Sequence, residues 1–173
     1  MSDALTLPQS LLLLTLKDES GRPKAGFYKP AIAGAAVSEL LLRGVLSLTD
    51  DKKPKLVAAP GDASHGPFLD FILTQISADK KQRDMQSWIT KLSNHKALIP
   101  TLAEELCKLG ALTKETSKVF RLFTLTAWPE ASPKLESNLK AQLEKAITGS
   151  GEVEDRLSVI MALAKSADVL RHN

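Results

Sequence analysis

At 173 residues the chain has the length of one ordinary domain, and its 43% hydrophobic and 25% charged residues exclude a disordered segment. Aromatics are only 5%, so the core must be assembled mainly from Leu, Ala, Ile and Val, which favours helices packed on helices. The net charge of +3 lies before residue 100 and is too slight to demand a nucleic acid, while a single cysteine, Cys107, excludes an intrachain disulfide or a cysteine-rich metal site.

Residues 8–17, PQSLLLLTLK, open on Pro8 and predict a short buried helix, with Gly21 beyond it as a stop. No positive residue precedes Leu11 to Leu14 and no small-residue cleavage site follows, so neither a signal peptide nor a membrane-spanning helix is expected, and the expected location is cytoplasmic. DESGRP is turn chemistry. GFYKP then forms an exposed approach, and Arg22, Lys24 and Lys29 give this stretch its positive charge.

The chain is organised around the next segment, Pro30 to Gly44, PAIAGAAVSELLLRG. Pro30 suits a first helical turn and Gly44 the residue just past the end. Ala31, Gly34, Ala35 and Ser38 share one side, and Ala33, Val37, Leu40 and Leu41 another, so the helix is apolar on nearly every side and should be buried. Its small-residue face predicts close approach of a neighbouring backbone. Glu39 and Arg43, four apart with the acid first, suit a helix ion pair.

VLSLT and KLVAA around DDKKP predict a hairpin with Pro54 at its turn or edge. FLDFILTQI returns to helical spacing through Phe68, Leu69, Ile72 and Ile76. After a charged connector from Asp79 to Asp84, Met85, Trp88, Ile89 and Leu92 mark another helix. Pro100 predicts the first turn of a helix through Leu109, closed by Gly110. A second hairpin is expected from the strands ALT and VFRLFTLT around a polar KETSK turn. Two C-terminal helices follow. In the first, Leu135, Leu139, Leu143 and Ile147 form the buried stripe, Lys140 and Glu144 face water, and Ser132 is the cap; in the second, Leu157, Ile160, Met161, Ala164, Ala167 and Leu170 are inward. The fold class is therefore mainly α, a single globular domain over residues 1–173 with a buried hydrophobic helix ringed by amphipathic ones and one or two short β-hairpins.

Catalytic motifs are absent from this pattern. The glycines form no phosphate cradle, and His65, His95 and His172 lack metal-ligand spacing and read as surface histidines. Cys107 reads as a small buried hydrophobe. Asp50 with Asp51 and Glu104 with Glu105 are sequence neighbours that point apart on a helix, so they make poor acid and base partners. The expectation is a protein that is not an enzyme and uses neither a metal nor another cofactor. Residues 83–128 could be drawn as a winged helix, but its reading helix would carry Glu104 and Glu105 against a single Lys108, which phosphates would repel.

LTLPQSLLLLTLKDESGRP at 5–23, SELLLRGVLSL at 38–48, HGPFLDFIL at 65–73, SWITKL at 87–92, LCKLGALT at 106–113 and DRLSVIMALAKSADVL at 155–170 follow one another in the order of the Golgi phosphoprotein 3 family. The resemblance implies a mainly helical, non-enzymatic peripheral membrane adaptor that recognises phosphatidylinositol 4-phosphate through a Trp and several Arg. It places Lys24 at the family's pocket Trp, and Ala33, Lys96 and Ile99 at its pocket Arg positions; it also implies that the closing helices of the family are missing. Lys24 and Lys96, helped by Arg22 and Lys29, are thus the expected headgroup contacts. The expected partners are an anionic phosphoinositide-like headgroup and a protein, with self-association if an apolar patch is left uncovered. The alternative is a soluble interaction module of the same fold without the lipid site.

Overall fold

The computed structural model describes residues 5–24, 26–59, 61, 63–119, 123–148 and 155–167. The order is α1 (Leu7–Thr15), α2 (Tyr28–Leu42), β1 (Leu46–Leu48), β2 (Leu56–Ala58), α3 (Pro67–Ala78), α4 (Met85–Ser93), α5 (Leu98–Lys108), β3 (Glu115–Val119), β4 (Phe123–Ala127), α6 (Lys134–Thr148) and α7 (Asp155–Ser166). It is a mainly α domain with two small antiparallel hairpins, β1–β2 and β3–β4.

Two helices form its centre. All nine residues of α1 are buried, and α2 buries every residue from Ala31 to Val37 together with Glu39 and Leu40. They pack on each other, α4 and α7 lie against α2, and α5, α6 and α7 pack on α1. Gly44 ends the α2 turn at φ 68° and Gly110 follows α5 at φ 72°, the left-handed conformation that suits glycine after a helix. A methyl group at Gly34 would meet Leu163 and Ile89 side chains at 3.5 and 3.8 Å. At Gly34 the small face of α2 therefore receives side chains from α7 and α4 at ordinary contact.

Glu39 lies fully buried within this centre. Its carboxylate accepts from Arg43 Nε at 2.7 Å, from Arg156 Nη2 of α7 at 2.8 Å, and from the Leu7 backbone N–H at 2.9 Å. Burial opposes its ionisation, but these three donors prevail and hold its pKa below the ordinary value. The i,i+4 pair expected from the sequence is thus one arm of a three-way tie between α1, α2 and α7.

The second hairpin departs from its predicted strands. Most of the expected KETSK turn is strand β3, paired from Glu115↔Ala127 to Val119↔Phe123, and residues 120–122 between the two strands lie outside the described residues. Residues 113–118 are exposed, so no alternation of burial marks them as a strand. Ala111 and Leu112 of the expected strand are instead buried beside the end of α5, with only a single bridge from Leu112 to Glu130. In α6 the buried stripe is Glu136, Leu139 and Leu143, while Ile147 is exposed and Lys140 half-buried, a shift that turns a carboxylate inward where Leu135 was expected to lead. Helix α5 begins two residues before Pro100. Leu170 and His172 lie outside the described residues.

Candidate functional site

Residues 16–24 form a tight loop between α1 and α2. Lys17 N–H donates to Arg22 O at 2.9 Å, Gly21 N–H to Lys17 O at 2.7 Å, and Lys24 N–H back to Thr15 O at 2.7 Å. Gly21 sits at φ 57° against the Trp128–Pro129 backbone, so close that a Cβ would collide with it, and its carbonyl accepts from Trp128 N–H at 3.2 Å. This contact docks the end of β4 onto the loop.

Between the loop, the starts of α2 and α5, and the hairpin lies a hollow of about 270 Å³. Arg22, Lys29, Lys96 and Lys114 line it, and no Asp or Glu does; Leu16, Ile99, Pro100 and Trp128 give it apolar walls. Lys114 pairs with Glu104 at 2.8 Å and lies over the Trp128 ring. Among the described residues no carboxylate lies within 4.0 Å of the Arg22, Lys29 or Lys96 head groups. Tyr28 and His95 are also part of the lining. Burial pushes the Tyr28 pKa up, so its hydroxyl stays protonated and able to donate.

Helix polarity adds to this charge. Tyr28 and Lys29 are the first residues of α2, and Ile99 and Pro100 lie in the first turn of α5, so both helices begin on the hollow's rim. Neither N-cap residue, Phe27 or Ala97, makes a side-chain cap bond, and neither helix has an acid in its first turn. Every other described helix has one or the other: the Thr6 capping box at α1, Asp84 at α4, and Asp70, Glu136 and Asp155 in the first turns of α3, α6 and α7. A helix start carries a partial positive charge that such oxygens normally answer.

Three of the four expected headgroup contacts, Arg22, Lys29 and Lys96, meet at this hollow; Lys24 does not line it. The Lys24 side chain is 10% exposed and sits 3.8 Å from Asp18 and 4.0 Å from Glu136. The carboxylate oxygens of Asp18, Glu130 and Glu136 lie within 4.8 Å of one another, and Lys140 pairs with Glu136 at 2.8 Å. Burial and the two neighbouring acids raise the Glu130 pKa. Lys24 and Lys140 make this a salt-bridged cluster. Lys114 and Trp128 were missed from the sequence because they reach the hollow from the two ends of the second hairpin, and Tyr28 and His95, though next to Lys29 and Lys96, because neither carries a charge that marks it. Of the two positions that resemblance marks as pocket Arg without a base here, Ala33 is fully buried in α2 and Ile99 lines the hollow.

Another basic group shows what neutralisation looks like in this molecule. Arg83 and Lys91, over the Trp88 ring, are both paired with Asp79, at 2.8 and 2.6 Å. Lys91, the Lys81 N–H and Arg83 hold the Asp79 carboxyl well below the usual carboxylate range. At the hollow, by contrast, only Lys114 is answered by a carboxylate among the described residues.

A family model, Golgi phosphoprotein 3 (GPP34), matches residues 7–173. No match was found among curated proteins.

Proposed function

The chain belongs to the Golgi phosphoprotein 3 family, and from that premise we propose that it is a non-enzymatic peripheral adaptor that holds an anionic, phosphate-bearing lipid headgroup in the basic hollow. One observation carries this reading: Arg22, Lys29 and Lys96 ring a hollow without a carboxylate, and the two helices that lack both cap and first-turn acid begin on its rim. Arg22 offers a bidentate fork to phosphate oxygens, and the lysines act as point charges. Near an anionic surface each such base contributes about 1 kcal/mol, so the attachment is weak and falls with salt. No helix among the described residues is long and apolar enough to cross a membrane.

Co-sedimentation with phosphatidylcholine vesicles, with and without phosphatidylinositol 4-phosphate, tests the reading. The expected result is binding only to the phosphoinositide vesicles, lost in the Lys29→Glu, Lys96→Glu double variant and kept by folded Lys24→Gln protein. Equal binding to neutral vesicles, or no change in the double variant, overturns it.

Ile99 and Trp128 favour a second reading, because they put apolar wall where a polar headgroup would want donors. A soluble module that takes an anionic segment of a protein partner would use both the walls and the cations. It predicts no vesicle binding in physiological salt and a stable partner recovered by the wild type but not the double variant.

A further inference from the structure

Phe27 directly precedes Tyr28 and Lys29, two lining residues of the hollow, and its side chain is 74% exposed. Among the described residues it is the most exposed large hydrophobic side chain, ahead of Leu109 at 54% and Ile147 at 64%, and the only aromatic in that class. Ordinary roles in folding do not account for it. It is not packed in the core, and it occupies the N-cap of α2, where Ser, Thr, Asp or Asn would close the first turn and a phenyl ring cannot. Gly26 before it is also exposed, with open space where its side chain would be.

The hollow that begins at the next residue is lined by bases and by no Asp or Glu. Arg22 and Lys29 are exposed on the same loop and helix start, and Lys96 faces them across the hollow. A second copy of the chain docking here would bring the same cations against them, so the rim disfavours self-association. A bilayer with anionic headgroups offers both complements at once: phosphates for the cations, and an apolar layer just beneath for the ring.

We propose that Phe27 is a membrane anchor, inserted below the headgroup layer while the hollow beside it holds a lipid phosphate. This rests on the reading of the hollow as a headgroup site, and it adds the feature that separates a lipid from a free phosphate compound. A dissolved headgroup gains nothing from Phe27. A vesicle does, because burying an aromatic side chain is favourable by enough to change affinity about tenfold.

The test uses the full chain and two probes, phosphatidylcholine vesicles containing phosphatidylinositol 4-phosphate and the water-soluble headgroup inositol 1,4-bisphosphate. Phe27→Ala, which removes the ring without adding a capping oxygen, should lower vesicle affinity about tenfold, leave headgroup affinity unchanged, and keep the wild-type unfolding temperature to within about 1 °C, as an exposed substitution should. In Phe27→Trp, the new indole should shift to the blue on vesicles and be quenched by brominated acyl chains. The wild-type protein, with Trp88 buried and Trp128 at the wall of the hollow, measured on the same vesicles supplies the signal to subtract. Unchanged vesicle affinity in Phe27→Ala, or an indole that bromine does not reach, overturns the anchor while leaving the headgroup reading standing. Loss of headgroup affinity in Phe27→Ala also overturns it, by placing the ring inside the hollow. Wild-type protein that binds neither probe removes the headgroup reading, and the anchor with it.

Discussion

The first turn of α1 and the first turn of α2 are closed in opposite ways. At α1, Thr6 and Gln9 form a reciprocal capping box, and Glu39, 32 residues away, accepts from Leu7 N–H. The start of α3 is treated similarly: Glu105 of α5 accepts from Phe68 N–H at 3.2 Å while its other oxygen accepts from Gln9 Nε2 at 2.9 Å. At α2 and α5 there is neither cap nor acid, and cations have been gathered around the openings instead. The contrast teaches that missing capping oxygens are not an oversight of local sequence. Where a helix start serves only the fold, an oxygen of the chain answers it; on the function proposed above, the two that face the hollow leave that place to an outside anion.

The comparison can be broken most severely at Gly21. Alanine there would meet the Trp128 and Pro129 backbone in a left-handed conformation, and should cost at least about 3 kcal/mol, because neither backbone segment can yield without releasing the hairpin from the loop. Thermal unfolding should show a midpoint lower by about 6 °C or more, with loss of vesicle binding as the hollow opens. A midpoint near that of the wild type would show that this wall is not rigid.

Unsealing α1 is the next largest change. Glu39→Gln leaves Arg156 and Arg43 without their buried carboxylate and should destabilise the protein by about 2 kcal/mol at neutral pH, without altering vesicle binding by the folded state. Because the folded pKa of Glu39 is depressed, its contribution is complete above the unfolded value of about 4.3 and is lost as pH falls through the folded value. The gap between wild type and variant measured by urea unfolding should therefore shrink in acid. A gap that widened on acidification would contradict the assignment.

Supplying α2 with the acid it lacks gives the smallest effect on stability and the sharpest on function. Lys29→Glu places a carboxylate in the first turn, where the helix dipole favours it, and should raise stability by about 0.5 kcal/mol. The same change should weaken phosphoinositide-vesicle binding about tenfold or more, since it replaces a lining cation with an anion. Gain and loss in one variant would show that the uncapped start is kept for binding at the expense of stability; a loss of both would mean that Lys29 supports the fold.

Much of the scaffold was legible because local signals and burial agree. Pro8, Pro30, Gly44 and Gly110 punctuate α1, α2 and α5, and apolar spacing marks the faces of α3 and α4. The β3 strand was not legible, since an exposed strand of Glu, Thr, Ser and Lys has no buried side to reveal its period. Nor was the destination of Lys24. Its partner Glu136 lies 112 residues on, at a buried position of α6 where it also pairs with Lys140. The hollow itself was half legible: Arg22, Lys29 and Lys96 come from two stretches singled out in advance. Lys114 and Trp128 arrive on either side of a hairpin whose ends only the three-dimensional pairing defines.

The account turns on whether the openings of α2 and α5 are anion sites. The most direct measurement follows backbone amide resonances during titration with inositol 1,4-bisphosphate at constant ionic strength. The account predicts saturable shifts at Tyr28, Lys29 and Ile99, with Leu7 and Phe68, whose amides are already held by Glu39 and Glu105, unmoved. Shifts spread over lysines elsewhere on the surface, or none at these three amides, would contradict it.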